Sequence, residues 1–549
     1  MRSLAGIAVL LLTCVTMGGC SAASPSSSTR TLGADLTGIS GVQRGIHFQG
    51  QVFVPTTAGV SDIDAAIARE VKTALGALQQ PEVSLRDRDA TNAQNPAKWN
   101  QQTLSVVDPS NASASASSIV RVTYQYDDEA VVTDSLNGKS AVAFVMLADD
   151  YSQHTAKLEQ DCSGNPTDDP ASLWYDFQPQ LAACQTDIKN EISAISKEES
   201  ALGARALTVG PKEAGRWFLP VTATLDPPEQ PTQSYSPEYD RLFGVAPNGA
   251  AKSQLVVYAF NGVDSDETNP DDILGQEAIR FLRTMLQGQP NFRPVDTSPF
   301  ALLEDIYVNG TKLANVTYAE MFSWILDQTG YPAEVGTDAT AIAALRAQAM
   351  AKFTERWIYW DLPVTVTDSD GVAHTLSVEV RFFYGDEASN PTAQQHAEWR
   401  YLEAFWYGDV FLYNGHSHFG NGPLDPQHYG PQNFNGNYQL MLVNSCLSYN
   451  YYHEDFFAYK PGGTQNLDMI VNGLPSYVWG GGEATAKLLL GLLDGKQHSY
   501  LELLQGMEID MPWGQKNYEP IRVADGELDN VFSQSKTPLS VSVGAPVYP

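Results

Sequence analysis

Four runs in the second half of this chain are apolar on nearly every residue rather than on alternate ones. They are Gln254-Leu-Val-Val-Tyr-Ala-Phe260, Val410-Phe-Leu-Tyr-Asn414, Gln439-Leu-Met-Leu-Val-Asn444 and Leu467-Asp-Met-Ile-Val471. A strand that is apolar on both faces must be covered on both, which is the condition of a parallel sheet sandwiched by its crossover helices. Helical patterns fall between and after these runs, at 271–286, at 339–353, from Pro391 to a stop at Gly408, and at 483–493 after Gly480-Gly-Gly482. A hairpin of 357–367 and 375–384 turns at Asp368-Ser-Asp-Gly371. The expected fold class is therefore α/β, with a mainly parallel sheet flanked by helices over 251–549. Ligands of such sheets bind where the strands end at their carboxyl edge.

The first half reads differently. Ser61-Asp-Ile-Asp64 has capping-box spacing, and Ile63, Ile67, Val71, Leu75 and Leu78 follow at helical intervals. Strands are expected at 103–107, 118–126 and 139–147, with Val120, Val122, Tyr124 and Tyr126 alternating as in a sheet with one wet face. A long charged helix is expected near 186–202. These features make a smaller α+β domain over 43–205, with no catalytic pattern. A strand at 216–225 and the Pro-rich stretch Pro227-Pro-Glu-Gln-Pro-Thr-Gln-Ser-Tyr-Ser-Pro237 form a linker over 206–250.

The chain has 64 acidic and 33 basic residues, a formal charge of −31. Such a surface repels nucleic acid and anionic headgroups, so neither is an expected partner. One arginine and a short apolar core at the N-terminus have the form of a secretory signal over 1–19. Met17-Gly-Gly-Cys20 resembles a bacterial lipobox, which implies lipidation of Cys20 and a Ser/Ala-rich tether over 20–42. Ser21 after the anchor implies, in a Gram-negative cell, an outer-membrane location. Contact with the bilayer is expected through the lipid alone. Cys162 and Cys184 flank a turn-rich loop and are expected to bridge in an oxidising compartment. Cys446 is left without a partner.

Cys446 follows the run that ends at Asn444, and His416 follows the run that ends at Asn414. Adjacent parallel strands can deliver a thiol and an imidazole to one point, as a cysteine nucleophile requires. The turns after each strand expose backbone N–H groups able to hold an oxyanion. No cofactor is implied. Other readings of the same residues stay open. Gly415-His-Ser417-His-Phe-Gly420 is close to a Gly-x-Ser-x-Gly elbow with Ser417 attacking. His416 and His418 could form a metal pair completed by Asp425 or His428. Cys446 could also be a small core hydrophobe. Asp409, at the start of its strand, is expected to solvate the edge rather than orient His416. Tyr449-Asn-Tyr-Tyr-His453 is expected to be a packed helix start or loop.

The two blocks resemble those of caspase-like cysteine peptidases, the group of gingipains, clostripain and legumains. Phe411-Leu-Tyr-Asn-Gly-His416-Ser417 is similar to the gingipain form, and Asn444-Ser-Cys446-Leu-Ser to the cysteine block. The resemblance covers about 250–520 and implies His416 as general acid/base and Cys446 as nucleophile. It further implies the N–H groups of Ser417 and Cys446 as oxyanion donors and a peptide or protein as substrate. The departure is Ser417, where the family has glycine. A catalytically inactive, caspase-like surface binding lipoprotein is the alternative that this departure raises.

Overall fold

The computed structural model describes residues 36–111, 116–165, 172–203, 205–229, 233–245, 250–294, 306–314, 316–385 and 394–543. The leader, Cys20, most of the tether and Pro391 lie outside them. The fold is α/β with two large sheets that belong to one compact unit.

The ten-stranded sheet has five adjacent parallel strands at its centre: Leu467–Asn472, Gln439–Asn444, Val410–Asn414, Gln254–Asn261 and Ala373–Tyr384. The expected hairpin attaches Ile358–Thr367 antiparallel to Ala373–Tyr384. Arg522–Asp525 joins the other side, also antiparallel, so the sheet is mixed toward its edges rather than parallel throughout. Alternate side chains of the apolar runs enter two different cores. Leu255, Val257, Leu412, Leu440, Leu442 and Ile470 pack on one face with the helices Ile273–Gly288 and Gly481–Leu493. Tyr258, Phe411, Tyr413, Met441, Val443 and Met469 pack on the other with Tyr401, Ala404 and Phe405 of the helix Gln394–Tyr407. This double coverage is why the runs carry no wet face.

The seven-stranded sheet runs Ala141–Leu147, Phe218–Leu225, Gly41–Pro55, Ser117–Thr133, Asn100–Val106 and Thr208–Val209, with Val83–Leu85 also on Ser117–Thr133. The helix Val60–Gln79 covers it with Ile63, Ile67, Val71, Leu75 and Leu78, as the spacing predicts. Its N-cap is Gly59 rather than Ser61: the Gly59 N–H donates to the Asp62 carboxylate at 2.8 Å, a bond that needs no cap side chain.

Two boundaries shift. Phe218–Leu225 is an inner strand of the first sheet, paired to Ala141–Leu147 and Gly41–Pro55, and is not part of a linker. Leu36–Gly38 is no tether but a strand on Arg522–Asp525 of the second sheet. Both errors have one cause, since strand pairing partners lie far away in sequence. Cys162 and Cys184 are bridged, Sγ–Sγ 2.08 Å, across 22 residues. Closing a loop of this length stabilises by about 3 kcal/mol in the chain-entropy model.

Buried carboxyls set the acid–base behaviour of this acidic chain. Burial pushes Glu70 up to about 8, and Asp128 and Asp468 up to about 7, although hydroxyl donors Tyr124, Tyr126 and Tyr438 respectively bond them. Burial pushes His418 down to about 4 and Lys460 down to about 7. Between the ordinary carboxyl range and neutrality the three acids hold protons that the unfolded chain has lost, so stability falls as pH rises. His418 opposes them up to its ordinary value, because there the unfolded chain binds the extra proton. Lys460 opposes them above neutrality. Glu527, Glu277 and Asp409 are raised by burial as well, so the raised acids outweigh His418 and predict a melting temperature a few degrees higher near pH ~5 than near pH ~7. A melting temperature that rises over that interval in a buffer series contradicts the assignment.

Candidate active site

Asn414 and Asn444 are register partners on adjacent parallel strands, and Gly415 N donates to Asn444 O at 3.4 Å. His416 and Cys446 each stand two residues beyond that pair, so the fold brings the two expected blocks to one sheet edge. Beneath them runs a row of amides. Asn444 Nδ2 donates to Asn414 Oδ1 at 2.9 Å, and Asn472 Nδ2 donates to Asn444 Oδ1 at 3.0 Å. The buried Arg522 guanidinium donates to both Asn444 and Asn472, at 3.2 and 3.1 Å. Asn261 ends the next strand in register with Asn414. The bonds among Asn414, Asn444 and Asn472 hold these strand ends against sliding, because they form only in this register. The signal of this row is present in the sequence, where four apolar strands all end on asparagine.

The turn carrying His416 is held from both sides. Tyr413 donates its hydroxyl to His416 O at 2.8 Å, and Tyr452, just beyond the cysteine block, donates to Ser417 O at 2.7 Å. Ser417 has φ −80° and ψ −17°, an ordinary right-handed conformation. Serine therefore replaces glycine there without strain; the left-handed residues are the next three, His418, Phe419 and Gly420. The elbow reading loses its basis, since Ser417 is buried, is not on the strained turn, and precedes only the short 3-10 turn His418–Gly420. The metal reading also fails on its donors. The Asp425 carboxylate caps its own turn by accepting from Gln427 N at 2.9 Å. Among the described residues no three His, Cys, Asp or Glu side chains are grouped to hold an ion. His418 instead packs its ring 5.8 Å from that of His416, with its Nε2 buried.

His416 Nε2 lies 3.3 Å from Asp264 Oδ1. Asp264 sits three residues past the strand Gln254–Asn261, and its loop is pinned by the buried Asp272. That carboxylate accepts from the N–H groups of Asp264, Ser265 and Gly275, at 3.1, 2.7 and 2.8 Å for the nearer oxygen of each. Sequence reasoning missed Asp264, although its position after a parallel strand is where functional groups gather. Asp409 is not a solvated edge group: it is buried, paired with Lys252, and accepts from Val256 N at 2.9 Å.

Cys446 is partly buried, and its Sγ lies 3.6 Å from the Ser476 carbonyl oxygen. Among the described residues the thiol and the His416 imidazole bond other groups rather than each other. Among the described residues no acceptor takes up the N–H of Ser417 or of Cys446. The first sheet's domain also packs beside the two strand ends. Its short helix Leu173–Asp176 carries Trp174 and Tyr175 toward the turn after His416. The rings of Trp174 and Tyr175 meet Phe419 edge-on at 5.6 and 4.9 Å. Asn450 donates to Leu85 O at 2.8 Å and Arg86 pairs with Glu454 at 2.6 Å, fastening the two halves beside the cysteine.

No family model, curated protein or solved structure matches the chain.

Proposed function

We propose that this is a cysteine endopeptidase whose C-terminal half is caspase-like, exported and anchored to a membrane by a lipid on Cys20. The observation that carries the reading is the pairing of Asn414 with Asn444, which leads His416 and Cys446 off neighbouring strands, with Asp264 behind the imidazole. In the proposed reaction His416 takes the thiol proton and the Cys446 sulfur attacks the peptide carbonyl carbon. The oxyanion is met by the N–H groups of Ser417 and Cys446. His416 returns the proton to the leaving amine, and water, deprotonated by the same imidazole, frees the acid and restores the thiol. Asp264 orients His416 and stabilises its charged form.

The test is cleavage of a peptide library by the wild-type protein and by Cys446→Ala. A second reading, a surface lipoprotein that binds peptides without cutting them, is favoured by one observation: the thiol and imidazole bond other groups. It predicts peptide binding with no turnover, whereas catalytic hydrogen bonds that tighten only with substrate predict turnover. Anchoring through Cys20 predicts that Cys20→Ala moves the protein from the membrane fraction to the soluble one; a variant that stays membrane-bound rejects it. The charge of −31 leaves nucleic acid outside the proposed partners.

A further inference from the structure

A trans peptide unit is planar, and its C=O and N–H point in opposite directions. Whatever holds the carbonyl oxygen of a unit therefore also sets where its N–H aims. The two N–H groups that the proposed reaction gives to the oxyanion belong to the units His416–Ser417 and Ser445–Cys446. Each of these units has its carbonyl oxygen held by a buried side chain. Tyr413 donates its hydroxyl to His416 O at 2.8 Å, and Asn472 Nδ2 donates to Ser445 O at 3.1 Å. On the opposite side of each unit, neither N–H has an acceptor among the described residues.

Both donors are themselves fixed. Arg522 Nε donates to Asn472 Oδ1 at 3.1 Å, and a guanidinium can only donate. The carboxamide must therefore turn its Nδ2 toward Ser445 O and Asn444 Oδ1. Tyr413 is buried on its strand, one residue before Asn414. Burial, and next Tyr429, hold its hydroxyl above the ordinary range, so it stays a donor. Resting on the peptidase reading, we propose that Tyr413 and Asn472 are positioning residues of the oxyanion hole, each aiming one backbone N–H through the peptide unit whose carbonyl it holds. They act on charge as well as direction. A donor on the carbonyl polarises the unit and strengthens the bond that its N–H gives, and the Asn472 arm leads back to a positive guanidinium. As charge grows on the substrate oxygen, the two N–H groups meet it without reorganising.

Tyr413→Phe keeps the ring and removes only the hydroxyl. One measurement asks whether the loss reaches the N–H. His-Ser occurs twice in the chain, at 416–417 and 498–499, so carbonyl-13C histidine with 15N serine gives two peptide signals. The Ser417 signal is expected to move and that of Ser499 to stay; an unmoved Ser417 signal overturns the proposal. The second measurement is kinetic. Losing an oxyanion donor outright costs about 10²–10³ in kcat, so misaiming one is expected to cost about tenfold, with KM within about twofold. A peptide aldehyde, whose oxygen takes the negative charge when the Cys446 sulfur adds to its carbon, should bind about tenfold more weakly, and the matching alcohol equally well. Asn472→Asp makes the same test on the other arm, keeping the bond from Arg522 but having no hydrogen to give Ser445 O. Equal losses for aldehyde and alcohol overturn the proposal, because the two side chains then only support the fold. Cleavage that depends on Cys446, with kcat and aldehyde affinity unchanged in both variants, overturns it and leaves the peptidase reading standing. A wild-type protein that cuts no peptide and forms no aldehyde adduct sinks that reading and the proposal with it.

Discussion

On the proposed mechanism, Cys446→Ala is expected to remove peptide cleavage, lowering kcat/KM by about 10³-fold or more, since the sulfur forms the acyl bond. His416→Ala should cost on the same scale, because thiol and imidazole act as one unit and their losses do not add. Asp264→Asn keeps the shape of the side chain and removes its charge. Its expected cost is smaller, about 10- to 100-fold and mainly in kcat, because it acts through the imidazole it orients. The graded order is the informative part. Steady-state kinetics on one fluorogenic peptide, with circular dichroism to confirm folding, measures it. Full cleavage by Cys446→Ala rejects the nucleophile, and an Asp264→Asn variant as impaired as His416→Ala makes Asp264 more than an orienting group. The His416–Asp264 distance of 3.3 Å is consistent with a bond that shortens as the imidazole becomes charged.

Gly482→Ala is expected to have the largest effect on stability. A methyl group there would stand 1.9 Å from the backbone oxygen of Glu277 and 2.7 Å from its carbonyl carbon. That neighbour is helix backbone and cannot swing aside, so the helices Ile273–Gly288 and Gly481–Leu493 must separate. Overpacking of this kind costs about 3 kcal/mol or more, beyond the small gain that alanine brings to a helix. The damage extends to the site. A methyl on the adjacent Gly481 would lie 2.3 Å from Asn414 Oδ1, so this helix start rests directly under the amide row. Gly506→Ala is the control, with nothing within 4 Å, and is expected to leave stability unchanged or slightly raised. Thermal unfolding of the two variants decides the matter; equal melting temperatures would mean that the helix contact yields cheaply.

Local chemistry made much of this molecule readable. The four apolar runs, the hairpin at Asp368–Gly371, the long helix Val60–Gln79 and the Cys162–Cys184 bridge all follow from residue spacing or from cysteine count. The two strand-end blocks were legible for the same reason, since a strand and the turn after it are contiguous. What the sequence reading assigned wrongly depends on partners distant in the chain. Phe218–Leu225 looks like any alternating strand, and only its pairing with Gly41–Pro55 makes it part of the first sheet. Asp264 is one of many acidic residues in an acidic chain, and nothing local separates it from Asp266 or Asp271. The Asn261, Asn414, Asn444 and Asn472 row was present as a repeated strand ending, but its meaning needs the register that sets the amides side by side.

By itself, then, the sequence determined which segments are strands buried on both faces and which residues stand at their ends, because burial on two faces leaves a pattern in adjacent residues. Tertiary structure decided what meets those ends: Asp264 at His416, the Ser476 carbonyl at Cys446, and a right-handed backbone at Ser417. Such contacts arise from chain segments up to hundreds of residues apart, and no local preference encodes a distance between them.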